Sequence, residues 1–133
     1  MLAGQRPRSL GLRDGRLATC GRRLNCVSSQ ADPHDAQRCV APIAFRGTTA
    51  DAMAAARSAV ESMPRAAVVR QDANYLHAEF TSKWLGFVDD VEFTFEEAAG
   101  LLHVRSASRL GRRDFDVNRK RVEALRAAIG ANP

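Results

Sequence analysis

The chain has 133 residues, a formal net charge of +5, 45% hydrophobic residues and 26% charged residues. This length and composition are typical of one globular domain with its own core, and they exclude a fibrous or largely disordered protein. No apolar run approaches the ~18 residues of a membrane-spanning helix. Residues 1–19 lack the apolar stretch of a cleavable export signal. The sequence therefore predicts a soluble single domain with no visible export signal.

The N-terminal segment is basic and has no apolar periodicity. Six arginines precede Cys26, against Asp14 as the one acidic residue. This pattern is typical of a mobile basic arm, so we expect such an arm at residues 1–23 and a single α+β domain at residues 24–133. Nucleic-acid association through the arm is an alternative function. It is disfavoured because no aromatic side chains interleave the basic residues to stack on bases.

The first predicted elements come from turn residues and a helix cap. Residues 24–47 are rich in turn-forming residues and predict an irregular segment with one edge strand. Thr48 followed by Asp51 resembles a capping box and predicts the start of a helix. Pro64 ends this helix. Its buried face is predicted from the apolar residues at helical spacing, namely Met53, Ala56, Val60 and Met63.

Four strands are predicted after this helix, at residues 66–70, 75–82, 87–95 and 101–109. In the last hairpin, pairing Phe93 with Val104 places the apolar side chains on one face. The same register sets Glu92 opposite Arg105 on the other face. A final helix is expected over about residues 116–129. The order of elements predicts an α+β fold, a four- to five-stranded antiparallel sheet with two helices packed on one face.

Polar side chains concentrate in the last hairpin and at the start of the final helix. Alternation along the strands places Asp89, Ser106 and Ser108 on the helix-covered face, with Asn118 and Arg119 near them. A buried carboxylate must be hydrogen-bonded or paired, so the main interpretation is a structural network. The alternative is a small polar pocket at this end of the sheet that binds a ligand or a partner group.

Arg105 and Arg109 are expected on the opposite, open face of the sheet, together with Asp90. One interpretation is a solvated lattice of salt bridges that contributes little stability. The other is an anion-binding surface, because the planar guanidinium group suits carboxylates and phosphates. The candidate ligand-binding residues of the two faces are Asp89, Asp90, Arg105, Ser106, Ser108, Arg109, Asn118 and Arg119.

The three cysteines allow several interpretations. Cys20, Cys26 and Cys39 with His34 match the spacing of a zinc site only loosely, so no metal is predicted. In an oxidising compartment Cys20 and Cys26 could close a disulfide loop, with Cys39 left over. A thiol nucleophile at Cys26 with His34 as its base is a further hypothesis, although the sequence indicates nothing of the required geometry.

Several motifs resemble the bacterial and plastid domain-of-unknown-function 1499 family. They lie at residues 25–29, 87–93 and 105–111, followed by Asp114 and residues 118–121. The resemblance covers roughly residues 10–129. It implies a small single domain, exported or membrane-tethered in many relatives, with no established activity. Leu24 and Asp116 depart from the family, whose members tend to have Pro and Gly at these positions.

These features together predict an uncharacterised binding or accessory module rather than an enzyme, associated with the cell envelope and without a cofactor. The candidate partners are an anionic small molecule or a protein. The alternative from another class is a small thiol-dependent enzyme or hydrolase that uses Cys26 and His34.

Overall fold

The computed structural model describes residues 5–83, 86–111 and 116–130. The elements in chain order are β1 (Cys26–Ser28), β2 (Ile43–Ala44), α1 (Thr49–Glu61), β3 (Ala66–Asp72), β4 (Tyr75–Thr81), β5 (Val88–Glu96), β6 (Leu101–Ser108) and α2 (Val117–Gly130). No helix within the described ranges is long and apolar enough to cross a membrane. Asp114, named in the family resemblance, lies outside these residues.

The strands form one antiparallel sheet with the order β1-β6-β5-β4-β3, and β2 also pairs with β6. Both helices pack against this sheet and against each other, so the predicted α+β class is confirmed. The sheet has six strands rather than four or five. The difference arises because residues 24–47 form two short strands that both pair with β6, whereas the sequence predicts one edge strand in this segment.

The predicted register of the last hairpin is confirmed. Phe93 lies opposite Val104, and Glu92 lies opposite Arg105. Strand alternation then turns Phe93 and Val104 toward the helices, where both are fully buried. This face holds the main hydrophobic core, to which β4 contributes Leu76 together with other buried side chains.

Helix α1 begins with the predicted capping box. The backbone N–H of Asp51 donates to Thr48 Oγ1 at 3.1 Å, and the N–H of Thr48 donates to Asp51 Oδ2 at 3.0 Å. These bonds satisfy donors that a helix start leaves unpaired. Of the predicted apolar face, Met63 is only partly buried against the core. The buried residues at helical spacing on the two helices include Met53, Ala56, Val60, Val122, Leu125 and Ile129.

The N-terminal segment, defined here as residues 5–23, lies on the outer face of the sheet, opposite the helices. The N–H of Gly11 donates to Glu92 Oε2 at 2.9 Å, and Arg105 Nη2 donates to the carbonyl of Thr19 at 3.3 Å. Leu17 in this segment is 5% exposed. These contacts differ from the mobile arm that the sequence predicts. Individual polar contacts and one disulfide hold the segment in place. No regular hydrophobic face is needed for this, so the sequence shows no apolar periodicity.

A substitution at Leu17 tests this packing. We expect Leu17→Ala to lower the free energy of unfolding by about 1–3 kcal/mol, since it removes buried methyl groups. Exposed Arg13 is the control, and Arg13→Ala is expected to change the free energy by less than about 0.5 kcal/mol. Both are measured by urea denaturation. Equal, negligible effects of the two substitutions would mean that residues 5–23 are mobile in solution.

Candidate functional site

The predicted site residues lie on two opposite faces of the sheet and do not form one cluster. Asp89, Ser106 and Ser108 point toward the helices. Asp90 and Arg105 point to the outer face, toward the N-terminal segment. This division follows from the period of two in a strand, so it agrees with the faces predicted from the sequence.

Arg109 is the centre of a charged network on the outer face. Its guanidinium contacts Asp90 Oδ2 at 2.8 Å and Glu79 Oε2 at 2.5 Å. His77 Nε2 lies 2.7 Å from Asp90 Oδ1, and Arg6 reaches Glu79 at 2.7 Å. Burial alone would raise the pKa of Asp90, but the hydrogen bonds from His77 and Arg109 hold that pKa below its ordinary value.

Glu92 and Arg105 form a second, more deeply buried part of this network. Glu92 is fully buried and Arg105 is 5% exposed, with 3.4 Å between Glu92 Oε1 and Arg105 Nη1. The hydroxyl of Tyr75 donates to Glu92 Oε2. Burial lowers the pKa of Arg105, while the charge of Glu92 opposes that shift. Burial followed by the hydrogen bond to Glu92 raises the pKa of Tyr75.

The predicted solvated salt-bridge lattice on this face is therefore wrong. Arg105 and Arg109 are largely buried because the N-terminal segment covers the face that the sequence leaves open. Most of their donors already meet protein acceptors, and among the described residues only Nε of Arg105 is a buried donor without a partner. An anion would have to displace Glu79, Asp90 or Glu92 to reach them, so the geometry disfavours an anion-binding surface here.

One group of side chains on the outer face has metal-ligating atoms close together. Single ligand atoms of His77, Glu79 and Asp90 lie within 4.8 Å of one another. Arg109, however, contacts both carboxylates, and Arg6 contacts Glu79 as well. A divalent cation would have to enter beside these guanidinium groups. The charge that the carboxylates offer is thus already neutralised, and the residues fit an ion-pair network better than a metal site.

The helix-facing network joins β6 to the start of α2. Ser106 Oγ donates to Asn118 Oδ1 at 2.6 Å. The Asn118 amide donates to Ser108 Oγ at 2.9 Å and to the carbonyl of Asn25 at 3.1 Å. Ser106, Asn25 and Asn118 are fully buried. These bonds connect β6, the residue before β1 and the start of α2, which is the arrangement that the structural-network interpretation requires.

Asp89 and Arg121 form an ion pair beside this network. The distance from Asp89 Oδ2 to Arg121 Nη1 is 2.7 Å, and both side chains are largely buried. The guanidinium also lies over the ring of Phe80, with its Cζ 5.0 Å from the ring centroid. The aromatic face and the carboxylate both favour the cation, so Arg121 is held at this position from two sides.

Arg119 lies apart from the other predicted site residues. Its guanidinium donates to the carbonyls of Cys39 at 3.1 Å, Gln37 at 3.1 Å and Ala36 at 2.9 Å. It therefore attaches α2 to the loop before β2. In this geometry Arg119 has a structural function, because its bonds hold α2 against the loop. Its position next to Asn118 in the sequence suggests a shared site, which the side-chain direction does not support.

A pocket of about 270 Å³ lies at the end of the sheet, between β5, the residues after β6, and the start of α2. We call it the sheet-end pocket. Its lining is mostly apolar, with Phe87, Val88, Leu110 and Val117. Asp89 and Ser108, which are directly opposite each other in the β5–β6 ladder, supply polar groups. Of the eight candidate ligand-binding residues, Asp89 and Ser108 are in its described lining, and the lining is more apolar than the polar pocket that the sequence predicts.

The disulfide and the position of His34 oppose the thiol-enzyme hypothesis in the form predicted from the sequence. Cys26 is fully buried and forms a disulfide with Cys20. His34 has a side chain that is 95% exposed, and its ring contacts Asp32. A thiolate nucleophile therefore does not exist at Cys26 in this state, and the loose zinc pattern loses two of its ligands. Cys39 is the free cysteine of the described residues.

Sequence reasoning missed several residues of both networks. Tyr75, His77 and Glu79 form the outer row of β4 and meet β5 side chains only because these strands are neighbours. The alternation of these residues with Leu76, Ala78 and Phe80 is the signal that could have identified an outer polar row. Asn25 belongs to the motif at residues 25–29, to which the sequence assigns no role. No sequence pattern predicts that this residue is fully buried in an irregular segment.

The family described as "Protein of unknown function (DUF1499)" matches residues 16–129, which is most of the chain. The chain belongs to this family. No curated protein and no solved structure matches the chain. The family assignment confirms the resemblance noted in the sequence, and it carries no activity with it.

One departure from the family pattern has a structural counterpart. Asp116 precedes α2 with φ of 66°, in the left-handed region. Gly, which the family resemblance implies at this position, adopts this conformation without a steric penalty. Aspartate tolerates the region better than most residues. The φ angle of residue 116 is therefore compatible with either residue.

The outer-face carboxylates predict a loss of stability in acid. The pKa values of Asp90 and Glu79 are held below their ordinary values of 3.8 and 4.5. Their stabilising contribution is present above those ordinary values and is lost as the pH falls through the lower folded-state pKa values. We expect urea denaturation of the wild type to show a steep loss from roughly pH 5 to pH 2.

Asp90→Asn is the matched variant for this measurement. It is expected to be less stable than the wild type at pH 7, because Arg109 loses a partner, and to lose less stability on acidification. The difference between the two proteins should therefore narrow as the pH falls. A constant difference from neutral to acid pH would contradict the ionised pair between Asp90 and Arg109.

The ion pair of Asp89 gives a second stability prediction. Asp89→Ala is expected to cost about 1–3 kcal/mol of unfolding free energy, because it leaves Arg121 partly buried without its carboxylate. In a double-mutant cycle with Arg121→Ala, we expect a coupling energy above about 0.5 kcal/mol. The control is Asp32→Ala, since the Asp32 side chain is 70% exposed. Equal effects at Asp89 and Asp32, with no coupling, would make this interpretation untenable.

Proposed function

We propose that this protein is a non-catalytic binding module whose ligand site is the sheet-end pocket. The main support is the distribution of exposed large hydrophobic side chains. Within the described residues there are four, and Phe87, Leu110 and Val117 all line this pocket. The fourth, Val69, lies on β3 and is not part of the lining. Exposed apolar side chains that converge on a concave surface are typical of ligand sites, whereas single ones need no explanation.

The polar groups of the pocket define the ligand class. Ser108 Oγ accepts a hydrogen bond from Asn118, so its own hydrogen is available to a ligand acceptor. Asp89 Oδ2 contacts Arg121, and no hydrogen bond joins Oδ1 to the described residues. The two side chains are cross-strand neighbours. A small apolar molecule that ends in a neutral donor–acceptor group, such as a hydroxyl or a primary amide, fits this arrangement. An anionic head group would meet the charge of Asp89.

Binding rather than catalysis is favoured by the partners of the pocket hydroxyl. A serine nucleophile needs an adjacent general base to take its proton. The recorded partner of Ser108 Oγ is the amide of Asn118, which cannot accept a proton at neutral pH. The carboxylate of the described lining, Asp89, is a weak base that is paired with Arg121, and the described lining includes no histidine, lysine or cysteine.

The Cys20–Cys26 disulfide supports an oxidising compartment for this module, such as the cell envelope. Disulfides persist where thiols are not kept reduced, and they are rare in the reducing cytosol. The bond closes a short loop, with a sequence separation of 6. The cell-envelope association expected from the sequence is therefore retained as part of the proposal.

A fluorescence titration tests the binding function. N-phenyl-1-naphthylamine is the probe, because it is apolar and carries one neutral N–H donor. We expect saturable binding to the wild type and a Kd at least about tenfold higher for Leu110→Asp, which places a charge on the apolar wall. Val69→Asp is the matched control, since Val69 is 39% exposed against 44% for Leu110, and it should bind like the wild type.

The head-group preference is tested by displacing the probe with octan-1-ol, octanamide and octanoate. The alkyl chain is nearly the same in the three compounds, so differences report on the polar end. We expect the alcohol and the amide to displace the probe at lower concentration than the carboxylate. Absence of saturable probe binding, or equal binding to Leu110→Asp and Val69→Asp, would overturn the proposed site. Preference for octanoate would overturn the ligand class.

A further inference from the structure

The wall of the sheet-end pocket after β6 is held by Asn25. The Asn25 amide nitrogen donates to the carbonyls of Ser108 at 3.4 Å, Leu110 at 3.3 Å and Gly111. The carbonyl of Asn25 accepts from the backbone N–H of Ser108 at 2.9 Å. Ser108, Leu110 and Gly111 all line the pocket. Among the described residues, the carbonyls of Leu110 and Gly111 have hydrogen bonds recorded from Asn25 alone.

Asn25 lies inside the loop that the Cys20–Cys26 disulfide closes, one residue before Cys26. The same loop contains Arg23, whose guanidinium donates to the carbonyl of Ser108 at 2.5 Å. Both side chains that hold this wall from the N-terminal side thus belong to one short cross-linked loop. Constraining the loop reduces the number of conformations in which Asn25 can leave its acceptors.

The disulfide has a route for exchange with a small thiol or disulfide. Cys20 lines a second cavity of about 240 Å³, whose lining also includes Arg16, Arg38, Asp32 and Asp35. The cavity leads to the Cys20 side of the disulfide, and the thiolate is the form of a cysteine that reacts in exchange. Cys26 is fully buried, so an incoming reagent would meet Cys20 first.

We propose that formation of the Cys20–Cys26 disulfide switches on ligand binding at the sheet-end pocket, through Asn25. This inference rests on the proposed function. The thiolate of Cys20 attacks a disulfide oxidant and forms a mixed disulfide, releasing one thiol of the oxidant. The thiolate of Cys26 then attacks Cys20 Sγ and releases the second thiol. Two electrons and two protons pass to the oxidant, which leaves as two thiols. The module then binds its ligand at the sheet-end pocket only after it reaches an oxidising environment.

The test compares the oxidised and the fully reduced protein, both carrying Cys39→Ser so that no third thiol can exchange. Dithiothreitol is the reductant, and mass spectrometry after alkylation with iodoacetamide establishes that both thiols are free. We expect the Kd for N-phenyl-1-naphthylamine to rise at least about fivefold on reduction, the factor that corresponds to one lost hydrogen bond. Circular dichroism of the reduced protein should retain the spectrum of the folded domain.

The outcomes separate this inference from the proposed function. An unchanged Kd in the fully reduced, folded protein overturns the switch and leaves the binding function intact. Complete unfolding on reduction also overturns it, because the disulfide is then only a structural cross-link. Failure of the oxidised protein to bind the probe overturns the proposed function itself.

Asn25→Ala tests the route of the coupling. In the oxidised protein, this variant is expected to bind the probe about as weakly as the reduced wild type, and reduction should weaken it little further. A thermal melt of the oxidised variant establishes that it is folded. If the folded variant binds as tightly as the oxidised wild type, the coupling does not pass through Asn25 and the inference is wrong.

Discussion

The antiparallel pairing of β5 with β6 determines which polar side chains can meet in this protein. Alternate residues of a strand point to opposite faces, so one register sends Asp89 and Ser108 toward the helices and Glu92 and Arg105 outward. A shift by one residue would exchange the two sets and bring charge into the apolar core. The pocket, the helix attachment and the buried ion pairs all depend on this one alignment.

The two faces stabilise their polar groups in different ways. On the helix side, Asn118 and the two serines of β6 form neutral hydrogen bonds with one another, and the one ion pair described beside them is Asp89 with Arg121. On the outer side, Glu92 and Arg105 are desolvated as charges, and that arrangement is tolerable only with close partners. The N-terminal segment supplies part of that environment through the N–H of Gly11. The segment is thus a structural layer of the domain.

The parts of the fold predicted from the sequence are those encoded by local periodicity. The register around Phe93 and the capping box at Thr48 follow from residue spacing, and both are present. Coverage of the outer face was not predictable, because it depends on long-range contacts of Gly11 and on a disulfide, neither of which has a periodic pattern. The sequence predicts Arg119 at the site because it is next to Asn118. Proximity in sequence does not determine side-chain direction, and the guanidinium of Arg119 extends to another loop.

The arginines that hold main-chain carbonyls affect how the protein meets charged molecules. Arg38 reaches the carbonyls of two residues in the disulfide loop, and Arg126 reaches those of Ala41 and Pro42. Cations committed to such internal acceptors have fewer donors left for an approaching polyanion. The formal charge of +5 is unchanged by these bonds, because a guanidinium that donates to a neutral carbonyl keeps its charge. A polyanion would still be attracted at long range, but it would find fewer free N–H groups for direct hydrogen bonds at these arginines.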